Sequence, residues 1–224
     1  MRNLFLAASM ALAAPMLIGA NGNWNATVSE TAGGHRLGNP EAKVKLTEWV
    51  SYTCSHCANF EQESQAPLKL FLVRSGTVAV EVRHFIRNPV DLTIAAITNC
   101  LPDSKFFATH SAFLLSHEKW MAKVHATNRA QQQRWTTGGV PARLRAVASD
   151  LDFYTMMESR GMGRTELDRC FANEDRIRAI ATRSQADIQE FSLTGTPSFA
   201  INGKLADGVH DWPAVRKALE DALK

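Results

Sequence analysis

The chain has 224 residues, 45% of them hydrophobic and 21% charged, and its 25 Lys and Arg against 22 Asp and Glu leave a net charge of +3. That composition describes an ordinary soluble globule, large enough for one domain with an insertion or for two small ones. So small a charge, with no basic run interleaved with aromatics, argues against nucleic acid or an anionic membrane surface as partner.

The first residues read as a targeting segment. Arg2 stands beside the amino group, Leu4 to Leu12 form an apolar run that continues to Ile18, and Gly19-Ala20 precede a polar turn at Asn21. This is the pattern of a secretory signal peptide over residues 1–20, with cleavage expected after Ala20. The alternative is an uncleaved anchor, but residues 4–20 contain Ser9 and Pro15 and fall short of the roughly 20 apolar residues a span requires. Export implies an oxidising compartment.

Residues 21–38 are rich in Gly, Asn, Thr and Ser, with little apolar periodicity beyond Trp24 and Val28, and read as a flexible leader. Gly38-Asn39-Pro40 marks a turn. Val44, Leu46, Trp49 and Val50 then mark a strand from Lys43 to Ser51. A helix is expected from Thr53, a candidate N-cap, with Cys57, Phe60, Ser64, Leu68 and Phe71 as its buried stripe. Pro67 predicts a kink in it and Gly76 its end. Val78, Val80 and Val82 alternate with Ala79, Glu81 and Arg83 in a second strand that stops before Asn88-Pro89. Strand, helix and strand in this order form a βαβ unit, so the two strands should be parallel.

From residue 91 to about 190 no strand pattern appears. Leu92–Cys100, Lys105–Ser116, Ala142–Leu151, Thr165–Phe171 and Asn173–Phe191 read as amphipathic helices. The polar run Thr127–Thr137 reads as a solvated helix face or loop. Ser198–Ile201 restores a strand, Asn202-Gly203 signals a type I′ hairpin turn, Leu205–Val209 a short strand, and Trp212–Leu223 a closing helix. A hairpin that completes a sheet begun far upstream makes the helices an insertion, so 39–90 and 191–224 form one domain interrupted by 91–190.

The chemistry gathers at Cys54-Ser55-His56-Cys57, where a strand runs into a helix. Two cysteines three apart at a helix start can bond to each other, and unpaired N–H groups there favour a thiolate. Cys54 is the expected nucleophile and Cys57 the resolving thiol, with the His56 imidazole adding attraction for the thiolate. Glu48, on the same strand face as Leu46 and Val50, is expected to point inward beneath the pair and to relay a proton to or from Cys57.

These residues resemble the DsbA-like thiol:disulfide oxidoreductases, the exported branch of the thioredoxin superfamily. The resemblance rests on Gly38–Ala42, Glu48–Tyr52, Cys54–Cys57 and Gly195-Thr196-Pro197-Ser198-Phe199, and spans most of 38–224. It implies an α/β thioredoxin fold with an inserted α-helical domain, a cis Pro197 facing the disulfide, and a Thr196 backbone that pairs with bound substrate. It also implies thiol-containing exported proteins as substrates, a membrane quinone-linked reoxidant, no cofactor, no nucleic acid and a monomer. Ser55 departs from the Pro-His dipeptide of the best-known oxidases, which leaves the potential open.

Other readings of the same residues stand beside this one. Zinc needs four ligands, and no second C-x-x-C or close His pair is present, so no metal is expected. A purely structural Cys54–Cys57 bond ignores the Thr196-Pro197 element. Cys100 and Cys170 are expected to form a structural disulfide between two insertion helices. An isomerase or reductase could use the same site, and a redox-inactive peptide-binding module is the reading from another class. His35, His84, His110, His117, His125 and His210 carry no motif and default to structural duty.

Overall fold

The computed structural model describes residues 23–224, and the signal-peptide reading falls outside them. From residue 23 on, the expected flexible leader is ordered and contributes two strands to the sheet. After a 3-10 turn at Trp24–Ala26, β1 (Val28–Glu30) and β2 (His35–Leu37) pair antiparallel. Their signal is faint because each strand has only three residues. It lies in the pair His35 and Leu37, both buried, with the His35 ring stacked on Phe106 at 3.8 Å. Gly34 is required in the connecting turn, since a Cβ there would lie 2.0 Å from the Val82 carbonyl oxygen.

β3 (Val44–Val50) runs into α1 (Ser55–Pro67), which crosses over to β4 (Val78–His84). β3 and β4 are parallel, with Val44 opposite Val78 and Val50 opposite His84, and β2 joins the other edge of β4. The expected kink after Pro67 takes the form of a π-helical turn, Leu68–Val73, and Gly76 ends the segment at a φ of +76°. That wider turn breaks the helical register, so Phe71, expected in the buried stripe, is 70% exposed, while Leu68 and Val73 pack inward.

Eight helices follow. They are α2 (Pro89–Cys100), α3 (Asp103–Leu115), α4 (His117–Ala126), α5 (Arg129–Thr136), α6 (Val140–Asp150), α7 (Phe153–Glu158), α8 (Arg164–Ala172) and α9 (Glu174–Glu190). The polar run folds as α5 because Asn128 and Gln131 form a reciprocal capping box and Trp135 is buried, its Nε1 donating to Asp150 at 2.8 Å. Helix α4 is anchored by buried Trp120, whose Nε1 donates to the Phe113 carbonyl at 2.9 Å. Cys100 and Cys170 are joined in a disulfide that ties α2 to α8.

β5 (Ser198–Ile201) lies antiparallel to β3, with Trp49 opposite Ser198 and Leu46 opposite Ile201. Asn202 and Gly203, both at positive φ, turn the chain into β6 (Lys204–Leu205). That strand is shorter than the expected Leu205–Val209, because Gly208 at a φ of +73° turns the chain away. Helix α10 (Trp212–Leu223) closes the structure, and the sheet order is β1-β2-β4-β3-β5-β6. Among the described residues no helix is long and apolar enough to cross a membrane.

Candidate active site

The central position of β3 sets the site. Its C-terminal end delivers Ser51, Tyr52 and Thr53 to the start of α1, and its pairing with β5 brings residues 196–197 to the same end of the sheet. Phe60 on α1 packs against Phe199 on β5, with ring centroids 4.6 Å apart, which fixes the helix over that strand. The Thr196-Pro197 peptide is cis, and Cys54 Sγ lies 3.2 Å from the Thr196 carbonyl oxygen. Ser198 Oγ donates to the Gly195 carbonyl at 2.8 Å, and His210 Nδ1 lies 3.2 Å from the Pro197 carbonyl oxygen, so both flanks of the cis bond are held.

Cys54, and not Thr53, occupies the N-cap position of α1, and its carbonyl accepts the first helical bond from the Ala58 N–H. Thr53 is taken up by a network behind the loop. The buried Asp91 carboxylate accepts from the Thr53 N–H at 2.9 Å, from Ser51 Oγ and from the Arg87 N–H at 3.0 Å. Arg87 and Asn88 both donate to Thr53 Oγ1. Asn88 also caps α2, with Pro89 next to it. Sequence reasoning used Asn88-Pro89 only to end a strand, although an Asn-Pro pair three residues before Asp91 is also a helix-start signal.

The two thiols, both free in this structure, are held in opposite states. Cys54 is pulled from 9.0 down to about 4, first by a hydrogen bond from the Cys57 thiol, against a counter-push from burial. The otherwise unpartnered Thr196 hydroxyl and the backbone N–H groups of Cys57 and His56 lower it further. Cys57 is fully buried and pushed well above its ordinary value, first by desolvation, then by Cys54 and by the charge of Glu48. The His56 side chain is exposed, and its contribution to Cys54 comes through its backbone N–H.

Glu48 is buried in β3, and Oε1 has no hydrogen-bond partner. Burial, and then the neighbouring Glu61, hold its carboxyl well above the usual range, and its charge in turn raises Cys57. Glu61, which sequence reasoning passed over, is a second buried acid on α1. Its Oε2 lies 4.0 Å from His110 Nε2. Its spacing of four from Cys57 put it on the inner helix face, a signal available in the sequence. Among the described residues no group of three or more His, Cys, Asp or Glu is arranged to hold a metal ion.

A family model described as Thioredoxin matches residues 30–221. The chain belongs to the thioredoxin family. It is similar to the crystal structure of a protein-disulfide isomerase from Novosphingobium aromaticivorans, with 46% identity, 87% of this chain and 100% of that chain covered, and a TM-score of 0.83. α-DsbA1 of Wolbachia pipientis shares the fold at 18% identity and a TM-score of 0.67, over 84% of this chain and 89% of that one. A Rickettsia conorii protein provisionally named a protein-disulfide oxidoreductase is 28% identical over 192 residues, 84% of this chain and 60% of that relative. The chain spans about three-fifths of the length of the curated relatives it matches. The architecture is α/β, a thioredoxin fold with an inserted α-helical domain, and its structural neighbours are DsbA-like.

Proposed function

We propose that the protein is a thiol-disulfide oxidoreductase that donates a Cys54–Cys57 disulfide to dithiols of proteins exported to the periplasm. The observation that carries this reading is the opposed state of the two thiols, Cys54 down to about 4 and Cys57 up. A substrate thiolate attacks Cys54 Sγ, a substrate–Cys54 disulfide forms, and Cys57 leaves with the electron pair. Glu48 supplies the proton that Cys57 takes up. The second substrate thiolate then attacks the substrate sulfur of the mixed disulfide and expels Cys54, which stays a thiolate at neutral pH. The enzyme disulfide is reduced by two electrons and the substrate dithiol oxidised by the same two.

A stabilised Cys54 thiolate stabilises the reduced form and makes the disulfide oxidising. Thr196 and Pro197, beside the reacting sulfur, receive the substrate chain. Return to the disulfide would fall to a membrane quinone-linked oxidase, and the protein would work as a monomer. Similarity to the Novosphingobium protein-disulfide isomerase supports a second reading, in which the Cys54 thiolate attacks substrate disulfides and rearranges them. Cys54 titration with the reduction potential tests the proposal. Titration near 4 and an oxidising potential are expected, whereas a pKa near 8 with a strongly reducing potential would overturn donation. Rescue of scrambled ribonuclease separates isomerisation from oxidation.

A further inference from the structure

The residues just before the nucleophile are held by a part of the chain that lies outside the sheet. Residues 51–54 form a turn closed by the Cys54 N–H, which donates to the Ser51 carbonyl at 3.2 Å. Cys54 follows in an extended conformation, φ −93° and ψ 117°, and its thiolate takes bonds from the backbone N–H groups of His56 and Cys57. Thr53, the residue next to it, is gripped at both main chain and side chain from the start of α2. Asp91 accepts from the Thr53 N–H at 2.9 Å, while Asn88 Nδ2 and Arg87 Nη2 donate to Thr53 Oγ1 at 2.8 and 3.1 Å.

Asp91 is fully buried, so its carboxylate depends on protein donors. Oδ1 accepts from the Thr53 N–H and from Ser51 Oγ, and Oδ2 accepts from the Arg87 N–H and from the same hydroxyl. Both oxygens are therefore needed as acceptors. An ionised carboxylate meets that demand and an amide does not, because its NH₂ would face one of the two main-chain donors. The Arg87 guanidinium, 3.8 Å away, offsets the Asp91 charge, and that charge is not among the main influences on Cys54. What Asp91 does to the thiol therefore runs through Thr53.

We propose that Asp91 is a positioning residue for the thiol exchange: by fixing Thr53 it holds Cys54 against the N–H groups of the helix start and makes the disulfide more oxidising. This rests on the exchange proposed above and adds to it a control lodged at the edge of the helical insertion, 38 residues from Thr53 in sequence.

The test is Asp91→Asn, read by the Cys54 titration and by the disulfide equilibrium with glutathione. The amide gives up one of the two main-chain bonds, Thr53 is released, and the thiolate loses the alignment of about one charge-assisted hydrogen bond, roughly one pKa unit. The Cys54 titration should rise by about one unit. The equilibrium should move about tenfold toward the enzyme disulfide, a potential about 30 mV less oxidising. Thr53→Val keeps the N–H but removes the hydroxyl that Arg87 and Asn88 hold. It should shift the equilibrium the same way by about threefold, the loss of a neutral hydrogen bond, and serves if Asp91→Asn folds poorly. Asn173→Ala removes the side-chain cap of α9 elsewhere in the insertion, and should lower the denaturant midpoint with the Cys54 titration unmoved. A fall in the Cys54 titration of Asp91→Asn would mean that Asp91 acts by its charge. A loss of stability with titration and equilibrium unchanged would mean that it only supports the fold. Either result overturns the assignment. A wild-type Cys54 that titrates near 8 marks failure of the exchange reading itself, and is read before any variant is made.

Discussion

The displaced titration of Cys54 makes a prediction about stability as well as rate. A depressed acid pKa contributes stability that is complete above the unfolded value of 9.0 and is lost as pH falls through the folded value near 4. At pH 7 the thiolate therefore stabilises the reduced folded state by about 4 kcal/mol, three pH units at about 1.4 kcal/mol each. Cys57 contributes nothing at this pH, since a thiol raised above 9.0 is protonated in both states. The oxidised form has its own advantage, because closing the four-residue Cys54–Cys57 loop restricts the unfolded chain by about 2 kcal/mol. The difference leaves the reduced form more stable by about 2 kcal/mol at pH 7. For a domain of this size that is roughly a 4–8 °C higher Tm. The advantage should shrink on acidification and change sign at about pH 5.5, where the thiolate contribution falls to the loop-closure contribution. Calorimetric scans of both redox forms from pH 4 to pH 8 would measure this. A reduced form that is less stable at pH 7, or a gap that does not move with pH, would refute both the thiolate stabilisation and the donor role built on it.

Substitutions at three further places carry expected outcomes. Glu48→Gln should raise stability at pH 7 by about 1–3 kcal/mol, because a raised carboxyl pKa makes stability fall as pH rises and the amide removes that slope. The same change should slow proton delivery to Cys57, about tenfold to a hundredfold by stopped flow. His110, buried and held down to about 3 by desolvation, is neutral in the fold but binds a proton below 6.5 when unfolded. Comparing urea midpoints of oxidised wild type and His110→Phe, the variant should gain about 2 kcal/mol relative to wild type between pH 7 and pH 5. A relative stability that stays constant would place the proton elsewhere. Replacing Cys100 and Cys170 by Ser opens a loop spanning a sequence separation of 70 and should cost about 4 kcal/mol in denaturant melts while leaving the Cys54 titration in place.

The parts of the site that sequence reasoning reached are those whose signal is local. Cys54 and Cys57 stand at a strand–helix junction, Glu48 keeps strand parity with Leu46 and Val50, and Asn202-Gly203 announces its turn. Parity suffices for Glu48 because the face it shares with Val44, Leu46 and Val50 is buried throughout, while the other face carries exposed Lys45 and half-buried Thr47. What was not legible depends on contacts between distant segments. Asp91 looks like any first-turn acid until the Ser51–Thr53 loop is laid across it. His117 looks like a surface histidine until its ring is packed edge-on against Trp120 one turn along α4. The β1–β2 hairpin was hidden for another reason. Three-residue strands have too few positions to show alternation, and its burial is carried by a histidine stacked on Phe106.

The asymmetry between the two cysteines is a consequence of sheet register more than of the four-residue motif. The β3–β5 pairing sets Thr196 against Cys54, where its hydroxyl can donate to a thiolate, and the helix start adds backbone N–H groups on the same side. Cys57, one helical turn deeper, faces Glu48 and apolar core and has no such donors, so its charge is opposed from every direction except the Ser51 backbone. A one-residue slip of β5 on β3 would turn its alternating side chains to the opposite faces and carry Thr196 away from the sulfur. The Phe60–Phe199 contact resists that slip, since it ties the helix bearing both cysteines to the strand that follows Pro197. Shortening Phe199 should therefore raise the Cys54 pKa although the residue touches neither sulfur, whereas an equally destabilising truncation at Phe153 in the insertion should leave it near 4.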